Sequence, residues 1–307
     1  MKIAVLSGGV GGARFVRGIV DALDARDVTV VGNVGDDVDV LGLHVSPDLD
    51  SILYALADLN DEERGWGRAG ETWRALEMVE RLGGEAWFRL GDLDLGLHLV
   101  RTQALRSGQS LSAITARLAH ALGIDAHVLP ATDDALRTSI ITEAGTFPFQ
   151  EWFVARGHRD EVDGLRFEGS AEATPAPGVL AAIAEAELLL LAPSNPYVSL
   201  APILAVDAIR SALEARSVPC VAVSPLIGGR AVKGPADRML ARLAGGTSPR
   251  HVASCYDGLI DALVVDEADA HALDGLGAVR PIVTHTLMRD GDARRRLAEA
   301  ALGAVPA

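Results

Sequence analysis

The apolar run over residues 2–6 passes directly into Ser7-Gly8-Gly9-Val10-Gly11-Gly12-Ala13-Arg14, and a helical pattern follows over residues 13–23. A strand that turns through glycines into a helix is the opening unit of a parallel sheet, because residues without bulk let the helix fold back closely onto the strand. The rest of the 307-residue chain repeats the theme. Short apolar runs predict strands at residues 28–31, 187–192, 220–224, 262–265 and 281–284, and helical patterns over 204–215 and 237–243 follow two of them. The fold class expected is α/β: a doubly wound, mostly parallel, Rossmann-like sheet. Half the residues are apolar but only 4 % are aromatic, which suits a core of small aliphatic side chains and excludes a disordered chain.

The middle of the chain breaks the alternation. Helical periodicity predicts helices over residues 72–81, 92–106 and 110–121, and short β-prone segments follow at 139–142, 147–153 and 165–167. Residues 1–69 and 170–307 are therefore read as the Rossmann-like core. Residues 70–169 are read as a helical and β insertion completing the cleft, with 170–178 as the returning linker.

Charge and cysteine content narrow the partners. Against 28 Lys and Arg stand 42 Asp and Glu, a net charge of −14 that repels nucleic acid. Cys220 and Cys255 are too few for a disulfide framework or a four-cysteine zinc site. No run approaches the roughly 18 apolar residues of a membrane span, and the N-terminus lacks the apolar length of a signal peptide. A cytoplasmic protein without membrane partners is expected. The only lysines are Lys2 and Lys233, so Schiff-base chemistry would have to use one of these.

An acidic chain can still hold phosphates where backbone N–H groups, arginines or a divalent cation supply local positive charge. Gly9, Gly11, Gly12 and Arg14 offer a helix N-terminus and a guanidinium. The loop departs from a dinucleotide fingerprint, since Arg14 stands where a third glycine belongs and no acid follows the second strand to meet a ribose. A Walker A loop is excluded because no Lys-Ser or Lys-Thr follows. Asn33-Val34-Gly35-Asp36-Asp37 and Ser46-Pro47-Asp48-Leu49-Asp50 place carboxylates near the carboxyl ends of strands, where a hard cation bridging phosphates would sit. Ser46 is expected to cap the helix that Pro47 begins. In Arg89-Leu90-Gly91-Asp92-Leu93-Asp94-Leu95-Gly96-Leu97-His98-Leu99-Val100-Arg101, Asp92 is expected as the cap, with Asp94, His98 and Arg101 on one face. Pro193-Ser194-Asn195-Pro196 and Ser224-Pro225-Leu226-Ile227-Gly228-Gly229-Arg230, continuing to Lys233, end two strands in loops suited to a nucleotide. Trp66 offers a face for a planar ring or a plug for a loop.

In order and spacing these motifs resemble one family, the 2-phospho-L-lactate and phosphoenolpyruvate transferases of coenzyme F-420 biosynthesis, from the first strand to about residue 235. The resemblance implies transfer of a phosphoenolpyruvyl or 2-phospho-L-lactyl group from a guanosine-diphosphate-linked donor to the terminal ribityl hydroxyl of the deazaflavin Fo, releasing GMP. It implies magnesium, for which Asp36 and Asp48 are the candidate ligands, and a homodimer. It assigns Fo to Asp50 and Arg89, with Asp92, His98 and Arg101 on the adjoining motif. It leaves the donor phosphates to Gly9, Gly11, Gly12, Arg14, Ser194, Asn195, Gly228, Gly229 and Lys233. Arg89 stands where the family often has lysine. Asp48 and Asp50 are the candidate catalytic residues. The alternatives are a non-catalytic UDP-sugar-binding regulator of the YvcK-like family, which shares the fold and glycine loop, and a nicotinamide-dependent oxidoreductase, which Arg14 disfavours.

Overall fold

The computed structural model describes residues 1–304. Its centre is a seven-stranded sheet in the order Arg280–Thr284, Ala262–Asp266, Cys220–Val223, Leu188–Leu191, Ile3–Ser7 (β1), Val28–Gly32 (β2) and His127–Pro130, with every neighbouring pair parallel. The chain winds outward from β1 to β2 and His127–Pro130, then returns to lay Leu188–Leu191 against the other side of β1. The winding reverses between these two strands. Their carboxyl ends therefore open a crevice at the position where doubly wound sheets take their ligands.

Burial follows from helices covering both faces. All five residues of β1 and all four of Leu188–Leu191 are buried, as expected for central strands with no solvent face. Helix α1 (Gly9–Ala22) packs Phe15, Val16 and Ile19 into the core, and α2 (Pro47–Leu56) adds Leu49, Ile52 and Leu53. Each such aliphatic side chain taken from water contributes about 1.5–3 kcal/mol before conformational entropy is subtracted.

Several expected elements need correcting. His127–Pro130 pairs with β2 at the sheet edge, inside the stretch read as an insertion; its four residues are too short, and too polar at the start, to announce a strand. The helix expected over 204–215 runs over Asp207–Glu214 and starts later than expected, because Val206 is buried with extended backbone after a short turn at Ala201–Leu204. The β segment expected over 147–153 ends at Pro148 and becomes a π turn over Glu151–Ala155. Helix α1 starts at Gly9, so most of the glycine loop is its first turn. Ser46 makes no side-chain cap bond; its hydroxyl donates to Asp37 at 3.0 Å.

The remaining helices of the middle stretch, α3 (Arg74–Arg81), α4 (Asp92–Arg106) and Leu111–Ala121, lie where periodicity placed them. Behind them Arg137–Thr142 pairs antiparallel with both Gly145–Pro148 and Gly164–Glu168 in a separate three-stranded sheet. Among the described residues no single helix is long and apolar enough to cross a membrane.

Candidate active site

At the reversal point the first turn of α1 leaves β1 with no room to spare. A Cβ at Gly8 would collide with the Asp48 carboxylate, and one at Gly12 would lie 2.5 Å from both Ser7 Oγ and Ser194 Oγ. These two positions require glycine for packing. The Gly8 amide donates to Ser194 Oγ at 3.2 Å, and the same hydroxyl donates to the Gly8 carbonyl at 2.7 Å. Ser194 thus braces the loop, and Asn195 turns inward to accept from the Tyr197 amide at 2.9 Å. Arg14 is half-buried beside Glu62, with its Nε lacking a partner. With Val10, Ala13, Ser51, Tyr54 and Trp66 it lines a narrow recess.

Three carboxylates gather across the crevice. Asp36, Asp37 and Asp48 are 5 %, 4 % and 6 % exposed, so each is withdrawn from the water that would stabilise its charge. Asn33 Nδ2 donates to Asp48 Oδ2 at 2.9 Å and reaches Asp36 Oδ1 at 3.5 Å. The Gly9 amide and the Asp36 carboxyl also lie close enough to Asp48 to act on its charge. Burial raises Asp48 to about 6 against the pull of Asn33 and Gly9. Burial, with the charges of Asp48 and Asp37 added, raises Asp36 well above the carboxylate range. Asp37 is held at Oδ2 by His44 and Ser46, each at 3.0 Å, while its Oδ1 is buried without a partner.

No three His, Cys, Asp or Glu side chains among the described residues converge as a metal cage. Magnesium does not need one, since it commonly takes one or two carboxylates and completes its shell with water and substrate phosphates. A carboxylate pair that must share a proton, beside an orphaned carboxylate oxygen, fits that demand. The consequence can be checked by pH. Both carboxyls are raised above the ordinary carboxylate value, so the stability tied to their protons is full below about pH 4, and the part tied to Asp48 is lost as pH climbs through about 6. The melting temperature of metal-free protein should therefore drop over that window, and millimolar magnesium should raise it near pH 7 but not near pH 4. An equal magnesium effect at both ends would show that the cation does not replace the shared proton.

Two residues along α2, Asp50 is locked from behind. Arg101 donates to both of its oxygens, Nη1 to Oδ2 at 3.0 Å and Nη2 to Oδ1, and the guanidinium is wholly buried. His98 stands beside them, with Nδ1 3.4 Å from Arg101 Nη1. Burial, reinforced by Arg101, lowers His98 to about 4, so it is neutral near pH 7. Tyr54 donates to Asp94 Oδ1 at 2.6 Å, and burial raises Asp94 to about 6. The inner face of α4 thus brings His98 and Arg101 onto Asp50.

Arg89 and Asp92 lie elsewhere. Asp92 is the first residue of α4, not its cap, and accepts from Thr72 Oγ1 and from the Arg74 and Ala75 amides. It therefore caps α3, while Glu71 reciprocates on the Leu93 and Asp94 amides at 2.8 Å. Arg89 sits 4.5 Å over the Trp73 ring, and Arg64 bridges Trp73 and Trp66 at 5.1 and 4.8 Å. Trp66 keeps 41 % of its surface exposed. Gly228 donates its amide to Asp269 Oδ2 at 2.9 Å, so that amide does not stand open as the loop reading expected. Lys233 reaches across to the Gly65 carbonyl at 3.5 Å. Sequence reasoning missed Tyr54, Trp73, Asp269 and Gln150, whose places depend on contacts between distant segments.

A nucleotide-sheet crevice lined by buried carboxylates and a helix N-terminus defines a class of enzyme that handles phosphate esters. Comparison with known proteins makes the class specific. Residues 3–279 match the family described as 2-phospho-L-lactate transferase CofD, and the chain belongs to that family. It is a transferase of coenzyme F-420 biosynthesis. A phosphoenolpyruvate transferase of Kitasatospora aureofaciens is 44 % identical, covering 98 % of this chain and 97 % of its own. The phosphoenolpyruvate transferase of Thermobifida fusca is 45 % identical over 88 % of each. Among solved structures, protein BH3568 of Bacillus halodurans superposes with a TM-score of 0.66 at 18 % identity, covering 98 % of this chain and 99 % of that one, a likeness of fold alone. Family membership decides against the regulator and oxidoreductase readings.

Proposed function

We propose that the enzyme transfers a phosphoenolpyruvyl group, with 2-phospho-L-lactyl as the less favoured alternative, from its guanosine-diphosphate-linked donor to the ribityl hydroxyl of Fo, releasing GMP. The observation that carries this reading is the arrangement of α2. Asp48, with Asp36, meets the first turn of α1, and Asp50, two residues on, is presented by Arg101. A phosphate end and an acceptor end thus lie within one helical turn. The near-full-length relatives named for phosphoenolpyruvate favour that donor.

In the reaction the acceptor hydroxyl oxygen bonds to the phosphorus that bears the enolpyruvyl group, the bond from that phosphorus to the bridging oxygen breaks, GMP leaves, and the hydroxyl proton is released to solvent. The first-turn amides of α1 and Arg14 orient the diphosphate. Asp36 and Asp48 would hold magnesium, which when bound supplies positive charge to the diphosphate. Asp50, held in place by Arg101, accepts a hydrogen bond from the attacking hydroxyl and orients it. Trp66, beside the recess, offers a face to the deazaflavin ring. Positioning and charge neutralisation supply most of the rate, as is usual in phosphoryl-group transfer.

We further propose a cytoplasmic homodimer. Cys220 and Cys255 are free thiols. The outer face of α4 exposes Leu93, Leu99 and Val100 to 48 %, 56 % and 44 %. The deciding experiment mixes purified protein with Fo, magnesium and each guanylylated donor, and follows GMP. GMP that depends on both Fo and magnesium, and is faster with the phosphoenolpyruvyl donor, is expected. Folded protein that releases none with either donor would overturn the proposal.

A further inference from the structure

Gln150 is buried to 6 % exposure in the three-stranded sheet region, far in sequence from the acidic turn it touches. Its Nε2 donates to the Asp36 carbonyl at 3.2 Å and reaches Asp36 Oδ2 at 3.4 Å. The opposite carboxylate oxygen, Oδ1, faces Asn33 and through it Asp48. Asn33 holds Asp36 weakly, because the same Nδ2 also serves Asp48 at 2.9 Å and the Val198 carbonyl at 3.2 Å. Gln150 is thus the one side chain holding Asp36 from its outer side among the described residues.

The segment that delivers Gln150 is anchored on both sides. Phe149 and Trp152 bury against Ile140, Val162, Val198 and Met239, and Phe149 stacks on Phe153 with ring centroids 5.3 Å apart. Trp152 Nε1 donates to the Asp160 carbonyl at 3.1 Å. The π turn over Glu151–Ala155 brings Trp152 into this cluster just past Gln150, and wide turns of this kind recur at functional sites. The same sheet grips the acidic turn a second time, where the Thr138 amide donates to the Gly35 carbonyl at 2.7 Å.

We propose that Gln150 is a positioning residue for the reaction: it fixes the rotamer of Asp36 so that Oδ1 faces the cation shared with Asp48. The inference rests on the reading of Asp36 as a magnesium ligand. Groups that hydrogen-bond a metal's ligands set the ligands' direction, and their loss typically costs about 10–100-fold in metal affinity. Gln150 does not touch substrate and acts only through Asp36. The three-stranded sheet thereby becomes part of the metal site although it supplies no ligand.

The test is Gln150→Met, which keeps the length and the apolar stem but removes the donor. Mn2+ binding is read from the EPR signal of the free ion in the presence of GDP, beside thermal melting and GMP release over a magnesium series. The Mn2+ dissociation constant should rise about 10–100-fold, the magnesium half-saturation should rise in step, and kcat at saturating magnesium should stay within a few-fold of wild type. A folded variant with unchanged Mn2+ affinity, or one whose kcat falls at every magnesium level without a shift in half-saturation, overturns the proposal. Should Gln150→Met fail to fold, Gln150→Asn, which retracts the donor by one methylene, decides the matter by the same readout. Wild-type protein that takes up no Mn2+ with GDP would instead bring down the metal reading of Asp36, and this inference with it.

Discussion

Asp48→Asn should abolish turnover, by about a thousandfold or more, while leaving the protein as stable as wild type or more so. The two halves of this expectation come from the same geometry. Asp48 is buried beside Asp36 and Asp37, and burial holds its ionisation at about 6. Near pH 7 the folded chain therefore carries a charge that solvent would hold more cheaply, by up to about 3 kcal/mol. An asparagine keeps the volume and can still accept from Asn33 through its oxygen. Its amide can also donate to Asp36, in place of the shared proton. Nothing in packing opposes the change. What is lost is one of the two carboxylates able to hold a cation against the donor phosphates. Binding of Fo, followed by deazaflavin fluorescence, should survive because Asp50 and Arg101 are untouched. GMP release together with a thermal melt checks both halves. A variant that keeps turnover would remove Asp48 from the site, and one that loses turnover only because it melts early would make its role structural.

The same juxtaposition explains what could be read from the sequence. Central strands such as Leu188–Leu191 were legible because burial on both faces leaves an unbroken apolar run. The site motifs were legible because they end strands or begin helices, where glycine, proline and aspartate have local reasons to occur. That Asp94, His98 and Arg101 share one face of α4 followed from helical spacing; that this face closes on Asp50 did not. What could not be read was what a distant segment would do to a group. Ser194 and Asn195 look like open loop polars, yet their side chains are consumed in holding Gly8 and Tyr197. Asp269 takes the Gly228 amide across a long stretch of chain. Asp92 looks like the cap of α4 and instead caps α3, because the chain before α3 folds back to offer Thr72 and two free amides. Gln150 has no local signature at all. Its importance lies in reaching a carboxylate that a different part of the fold has buried.

Arg101→Met should be the most destabilising single change in the site, costing about 3–5 kcal/mol, and its partner change should restore most of the loss. Arg101 is fully buried, and its guanidinium is the counter-charge to Asp50, itself 4 % exposed. Removing the guanidinium leaves this buried carboxylate without its counter-charge. His98 is a poor substitute, since burial, the largest cause that lowers it, is not relieved by the change. Asp50→Leu combined with Arg101→Met leaves no charge behind, and an apolar pair of similar volume often matches or exceeds a buried ion pair. Arg101 Nε, buried without a partner, adds to what the native arrangement forgoes. The double variant should therefore approach wild-type stability in urea melts while binding Fo poorly and releasing almost no GMP. That outcome would assign the pair to presenting one carboxylate oxygen to the acceptor, at the expense of a more stable core. If Arg101→Met alone melts with wild type, Asp50 is not buried as a charge, and the acceptor end of the site must be sought at Arg89 and the tryptophans instead.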